Sequence, residues 1–135
     1  MAVAIPDPCH QGAVVYCVLN PFVTEATIRT TICVSGWTAT VRPPTSYTSP
    51  LKLQQMGAEG LAGPASAYEE DHRMPLELGG SPADPENLSP EAHPRSYTKD
   101  TAESAARAEA CDGIDLQNVQ TAFVADWLAP YPGYR

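Results

Sequence analysis

"YEEDHRMPLELGGSPADPENL", residues 68–88, decides how this chain is read. An acidic knot runs into His72, a proline and a Gly-Gly pair follow, and Asn87 closes the stretch sixteen positions after Asp71. Its two ends read as strands and Gly79-Gly80 as the turn between them. Neighbours on a strand point to opposite faces, so Asp71 and His72 share a site only where a strand end or a bulge re-aims one of them. In that arrangement the Asp71 carboxylate suits a hard cation, and a neutral His72 imidazole takes a proton from water. Asn87 offers a carbonyl oxygen as a neutral ligand, or an amide that fixes a neighbour's geometry. Each feature alone is commonplace, since Asp-His is an ordinary dipeptide and Gly-Gly an ordinary turn. Their order and spacing carry the information.

Outward from this stretch the pattern turns helical. "YTKDTAESAARAEAC", residues 97–111, is rich in Ala, Glu, Lys and Arg and reaches a stop at Asp112-Gly113, which predicts a helix after the second strand. "DLQNVQTAFVADWL" predicts a last helix, capped by Asp115 and stopped by Pro130, with Leu116, Val119, Phe123 and Trp127 on its inner face. Upstream, "NPFVTEATIRTTIC" predicts a short helix with Thr24 as its N-cap and Ile28 and Ile32 one turn apart. "SPLKLQQMGAEGL" predicts another, with Pro50 at its first position and its end at Gly57 or Gly60. Between them "VSGWTATVRPPTSYTSP" alternates β-branched and small residues, which predicts a short strand and then a loop stiffened by Pro43-Pro44. Residues 1–20 read as irregular or hairpin-like, with a strand candidate at 13–19. Trp37, Phe123 and Trp127 are expected in the core. The order is that of an α+β chain.

The chain has 135 residues, enough for one core of modest size. One domain is expected, with an N-terminal embellishment (1–67), a core (68–112) and a C-terminal helix (113–135). No apolar run is long enough to cross a membrane, and no membrane partner is expected. "MAVAIPDPCHQGAVVYCVLN" lacks the basic start of a secretory signal. The net charge of −8 is uneven, with +1 in residues 1–58 and −9 in residues 59–135. So acidic a half argues against nucleic-acid binding through a passive basic patch, and suits carboxylates gathered around a divalent cation or a solvated acidic face. The four cysteines form no CxxC pair. Disulfides are favoured over zinc, with Cys9–Cys17 and Cys33–Cys111 the simplest of the three pairings that four cysteines allow. Such a chain suits a secreted or periplasmic setting, and the cytoplasm stays open.

"DHRMPLELGGSPADPENLSPE" resembles the core of the HNH endonuclease superfamily, the ββα-metal nucleases: Asp-His, two residues and a proline, Gly-Gly, then Asn-Leu. The flanks "TICVSGWTATVRPPTSYTSPLKLQQM" and "KDTAESAARAEAC…VQTAFVADWLAPY" are similar to those of a small bacterial family of HNH-like proteins, so the likeness runs from about residue 20 onward. It implies a ββα-metal hairpin-plus-helix core, embellished by short N-terminal and C-terminal helices. The implied activity is metal-dependent hydrolysis of phosphodiester bonds, in DNA rather than RNA, with one divalent cation. Mg²⁺ is favoured, with Mn²⁺ and Zn²⁺ as alternatives. By the resemblance His72 is the general base and Asp71 the first metal ligand, while Asn87 binds metal or orients His72. Lys99 falls where many members carry a basic residue, and Lys99 and Arg73 are candidate contacts to the substrate phosphate. Where members place a second metal histidine this chain has Ser96. His93 (three residues early and followed by Pro94), a carboxylate such as Glu91 or Asp100, or phosphate and water would then complete the coordination.

Arg95, Arg107, Arg42 and Lys52 are weaker phosphate candidates. Glu69 and Glu70 read as peripheral, because added carboxylates repel an incoming phosphate. The net charge implies weak free-standing affinity for DNA and leaves room for a protein delivery or assembly partner. Oligomeric state has no signature in the sequence. The competing expectation is a catalytically degenerate HNH-like domain that acts as a binding or scaffold protein, secreted and disulfide-stabilised in one version.

Overall fold

A computed structural model describes residues 7–131 as a mixed α+β chain. A small hairpin comes first (β1, His10–Gln11; β2, Val14–Val15), then helices α1 (Trp37–Val41) and α2 (Thr45–Glu59). A second antiparallel pair follows (β3, Tyr68–His72; β4, Leu88–Ala92), and then helices α3 (Arg95–Cys111) and α4 (Leu116–Phe123). In the second pair Asp71 lies opposite Ser89 and His72 opposite Leu88. Helix α3 packs against β4 and α4, while α2 packs against both β3 and β4.

The two C-terminal helices follow the sequence pattern closely. Helix α3 starts at Arg95, just after Pro94, and ends at Cys111. The Asp115 carboxylate caps α4 by accepting the Asn118 N–H at 3.2 Å. Leu116, Val119 and Phe123 are buried and Trp127 is half-buried against the same core. The helix then widens over Val124–Leu128, where the Ala129 N–H reaches back to the Val124 carbonyl at 2.8 Å. Trp37 also packs against the core while partly exposed.

The N-terminal half departs from its local pattern. The helix expected over residues 20–33 shrinks to one tight turn, Ile28–Thr30. The Thr27 hydroxyl accepts the Thr24 N–H at 2.9 Å and donates to the Phe22 carbonyl at 2.7 Å, and Thr30 and Thr31 both donate to the Thr27 carbonyl. Side-chain hydroxyls that bond nearby backbone in this way offer it an alternative to the helix. Ile28 and Ile32 are buried all the same. The strand expected near Trp37 is instead α1, entered through Gly36 at φ +82°. Strand propensity needs a partner, and both sheets are two-stranded pairs in which this segment takes no part. Helix α2 begins at Thr45, five residues before Pro50, because the Pro44 carbonyl accepts the Tyr47 and Thr48 N–H groups and starts the first turn early. It ends at Gly60, as expected, in a left-handed conformation. The strand candidate at 13–19 survives only as Val14–Val15.

Gly79-Gly80 is not a hairpin turn. Residues 73–87 connect β3 to β4 through two tight helical turns, Leu76–Leu78 and Pro85–Asn87. Gly79, at φ +87°, closes the first of them. Gly80 bridges to Leu19, and a Cβ there would lie 1.8 Å from the Met74 carbonyl oxygen. The glycine pair lets this connection fold tightly on itself against the N-terminal segment.

Cys9 pairs with Cys17 around the first hairpin, and Cys33 pairs with Cys111 at the end of α3. These bonds leave no cysteine for zinc. The Cys9–Cys17 bond is fully buried beside Val23, Ile28, Met74, Leu78, Val119 and Leu128, so this side of the core is part disulfide and part hydrocarbon.

Candidate functional site

The carboxyl end of β3, the side of α3 and the end of α1 enclose a cavity of ≈ 290 Å³. Glu69, Glu70, Asp71 and His72 all line it, with Asp100, Glu103 and Ser104 of α3 opposite. Glu77 enters from the 73–87 connection, and Thr38 and Arg42 form the α1 side. Alternation along β3 puts Glu69 and Asp71 on one face. His72 is the last paired residue of the strand, and its ring is turned by the connection, with Nε2 2.8 Å from the Pro82 carbonyl. A carbonyl only accepts, so Nε2 carries the hydrogen and in the neutral ring the lone pair sits on Nδ1. Of the three residues the sequence expects to converge, Asp71 and His72 border one cavity and Asn87 does not.

Electrostatics make this cavity unusual. Glu69, Asp71 and Asp100 each offer an oxygen, and the three oxygens lie within 4.8 Å of one another. Burial, and then the charges of Asp71 and Asp100, push the Glu69 carboxyl up to about 7. Burial pushes Glu70 up to about 8, against the pull of Lys52, and both Glu70 oxygens are buried without a hydrogen-bond partner among the described residues. Asp100 and Glu77 are also raised, chiefly by burial. His72 is lowered from 6.5 by burial, so its ring is neutral near pH 7.

A stability effect follows. Glu69 and Glu70 titrate at about 7 and about 8 in the fold, against 4.5 ordinarily, so the folded chain holds protons that the unfolded chain releases. Their contribution is fully present below pH 4.5 and is lost as the pH rises through about 7 to 8. In a chelator, the melting temperature is therefore expected to fall between pH 5 and pH 8. A melting temperature that rises over that interval contradicts this.

The remaining residues singled out by the sequence fall in other places. Asn87 is fully buried and does not line the cavity. Its Oδ1 accepts the N–H groups of Met74 at 3.0 Å and Val18 at 3.2 Å, and its Nδ2 donates to the carbonyls of Met74 at 3.1 Å and Ser81 at 2.9 Å. The oxygen expected as a metal ligand is thus held by two backbone donors. Asn87 clamps the connection at Met74 and Ser81, the residue before Pro82. Asn87→Ala leaves those buried groups unsatisfied and is expected to cost about 3 kcal/mol of stability. An unchanged urea midpoint would argue against the clamp.

His93 is also outside the cavity lining. Its Nδ1 lies 2.5 Å from the Ser96 hydroxyl and its ring stacks on Tyr97 at 4.6 Å, so the residue expected early and the serine in the expected histidine's place meet on the first turn of α3. Arg73 faces a different hollow beside α2, where its Nε donates to Ser89 Oγ at 2.6 Å. Lys99 is fully buried. Its ammonium lies 2.8 Å from Asp71 Oδ2, 2.6 Å from Glu103 Oε2 and 2.9 Å from the His72 carbonyl, so it does not present itself to a phosphate. Arg95 pairs with Glu91 and donates to the Trp127 carbonyl, Arg107 donates to the Ile32 carbonyl, and Lys52 donates to the Ala65 and Tyr68 carbonyls. Arg42 alone among the basic candidates combines exposure with a place in the cavity wall.

No family model, curated protein or solved structure matches this chain. The site is therefore argued from its own residues. Glu69 and Glu70, read as peripheral, stand in its wall, and Glu77 and Glu103 join them. The spacing held a usable signal: Glu69 and Asp71 are two apart on a strand, while Asp100 and Glu103 are three apart on a helix, and each pair shares a face.

Proposed function

We propose that this protein is a metal-dependent phosphodiester hydrolase of the ββα-metal, HNH-like kind, acting on DNA, with His72 as its general base. The observation that carries the reading is the convergence of Asp71 and His72 with Glu69 and Asp100 on one cavity between β3 and α3. The donors are carboxylate oxygens, which suit Mg²⁺ or Mn²⁺ better than tetrahedral zinc. The raised carboxyl groups of Glu69 and Asp100 support the fit, since such groups gain most from an added positive charge. Glu69, Asp71 and Asp100 would hold the ion, in place of the Asp71, Asn87 and His93 set expected from the sequence. Held by these carboxylates, a divalent cation would supply positive charge to the phosphate and to the departing oxygen.

The chain's own groups account for the rest. The Pro82 carbonyl fixes the His72 ring through Nε2, so the neutral ring carries its lone pair on Nδ1, the atom that would take the proton of an attacking water. Burial keeps that ring neutral, and so able to act as a base, near pH 7. Arg42, exposed at the rim, is placed to meet a phosphate at the mouth of an otherwise acidic cavity. The net charge of −8 opposes free DNA binding, so cleavage should be strongly cation-dependent, and 135 residues leave little room for a separate module that reads sequence.

A second reading has its own observation. Lys99 already bonds Asp71, as the counter-ion of a catalytically degenerate scaffold would. Incubation of supercoiled plasmid with the protein separates the two. Nicked or linear product with Mg²⁺ or Mn²⁺, and none in chelator, is the expected result. Intact plasmid with Mg²⁺, Mn²⁺ and Zn²⁺ alike would leave the scaffold.

A further inference from the structure

Lys99 is the least expected residue of the fold. A fully buried ammonium is costly to desolvate, and an apolar side chain of similar volume at such a position is often no less stabilising. The position is nevertheless occupied by a charge that touches the site at two points, Asp71 Oδ2 at 2.8 Å and the His72 carbonyl at 2.9 Å. It also bonds Glu103 Oε2 at 2.6 Å, one helical turn along α3, and lies 5.4 Å from the centroid of the Phe123 ring. Asp71 also belongs to the three carboxylates whose oxygens lie within 4.8 Å of one another. An ion held there and the Lys99 ammonium would draw on the same carboxylate.

We propose that Lys99 is a tethered counter-cation that tunes how strongly this cavity holds a divalent ion, by bonding Asp71 from within while Glu103 draws it away. The inference rests on the reading of the cavity as a cation site. Without the ion, Lys99 balances Asp71 and keeps the carboxylate wall from repelling itself apart. With the ion, the repulsion between ammonium and cation lowers affinity, so the ion exchanges instead of remaining locked in place. Glu103 sets the balance: the more of the ammonium's interaction it takes, the more freely Asp71 serves the ion. Lys99 is on this account a positioning residue, acting through Asp71 and through the His72 backbone.

The two halves of the device move affinity in opposite directions. Lys99→Met removes the competitor, and the dissociation constant for Mn²⁺ is expected to fall by about tenfold or more, as loss of a like charge a few ångströms from a divalent ion requires. Glu103→Gln leaves Lys99 to Asp71, and the constant is expected to rise by about threefold or more. Arg42→Met removes the same charge from the exposed rim, where solvent screens it, and is expected to shift affinity less than Lys99→Met. A merely structural Lys99 would weaken binding in both of the first two variants.

The test is a titration of free Mn²⁺ by electron paramagnetic resonance at pH 8, on the full chain and the three variants, with circular dichroism as a check on folding. Tightening in Lys99→Met, weakening in Glu103→Gln and a smaller effect of Arg42→Met support the proposal. If Lys99→Met does not fold, Lys99→Gln is read in its place, and a constant that fails to fall there overturns the proposal. A wild-type chain that binds Mn²⁺ while Lys99→Met fails to tighten, or while Arg42→Met tightens as much, overturns the proposal and leaves the cation site standing. No binding of Mn²⁺ by the wild type overturns both.

Discussion

His72→Ala is expected to lower the rate of metal-dependent DNA cleavage by about 10²- to 10⁴-fold, the usual contribution of a positioned general base. The ring borders the cavity, is held through Nε2 by the Pro82 carbonyl, and is kept neutral by burial. Glu70, raised to about 8 by burial, is mostly protonated at neutral pH and does not replace it. The substitution removes no carboxylate, so affinity for Mn²⁺ should stay within a few-fold of the wild type. Initial rates on supercoiled plasmid at saturating Mn²⁺ measure the effect, and a variant that cleaves at the wild-type rate removes His72 from the mechanism. The acid limb of the wild-type profile should also lie below the ordinary histidine value of 6.5, because burial lowers the ring.

The second large effect concerns stability. Cys33 and Cys111 are 78 positions apart, whereas Cys9 and Cys17 are 8 apart. Loop-closure entropy makes the longer cross-link worth about 4 to 5 kcal/mol and the shorter about 2 to 3 kcal/mol. For a domain whose whole stability is about 5–15 kcal/mol, loss of the longer bond alone removes a large share. It would also free the end of α3, the helix that carries Lys99, Asp100 and Glu103. Urea unfolding of the Cys33→Ser/Cys111→Ser and Cys9→Ser/Cys17→Ser double variants compares the two. The first should be the less stable by about 2 kcal/mol, and the reverse order would contradict the entropic account.

What the sequence made legible divides along physical lines. The strand pair and the helices α3 and α4 follow from patterns whose causes are local: Asp115 as a cap, Leu116, Val119 and Phe123 at helical spacing, and a Gly stop at residue 113. Both disulfides match the simplest of the three pairings that four cysteines allow. Where the reading fails, the deciding contacts are distant or side-chain specific. Hydroxyls of Thr27, Thr30 and Thr31 capture backbone groups that a helix needs. Gly80 is required because the Met74 carbonyl passes beside it, and no pattern near residue 80 announces that approach. The site shows the same division. Asp71 and His72 were legible as neighbours with complementary chemistry. Asn87 was legible as important, yet its partners Val18, Met74 and Ser81 reveal a clamp and not a ligand. Lys99 was legible as a candidate phosphate contact, and only its depth shows it bonded inward to Asp71 and Glu103.

The most direct measurement is anomalous diffraction from crystals of the full chain grown with Mn²⁺. An anomalous peak bonded to Asp71, Glu69 and Asp100, with the His72 ring facing the same cavity, is the predicted result. A peak elsewhere, or no peak at saturating Mn²⁺ with Lys99 still on Asp71, would contradict the account.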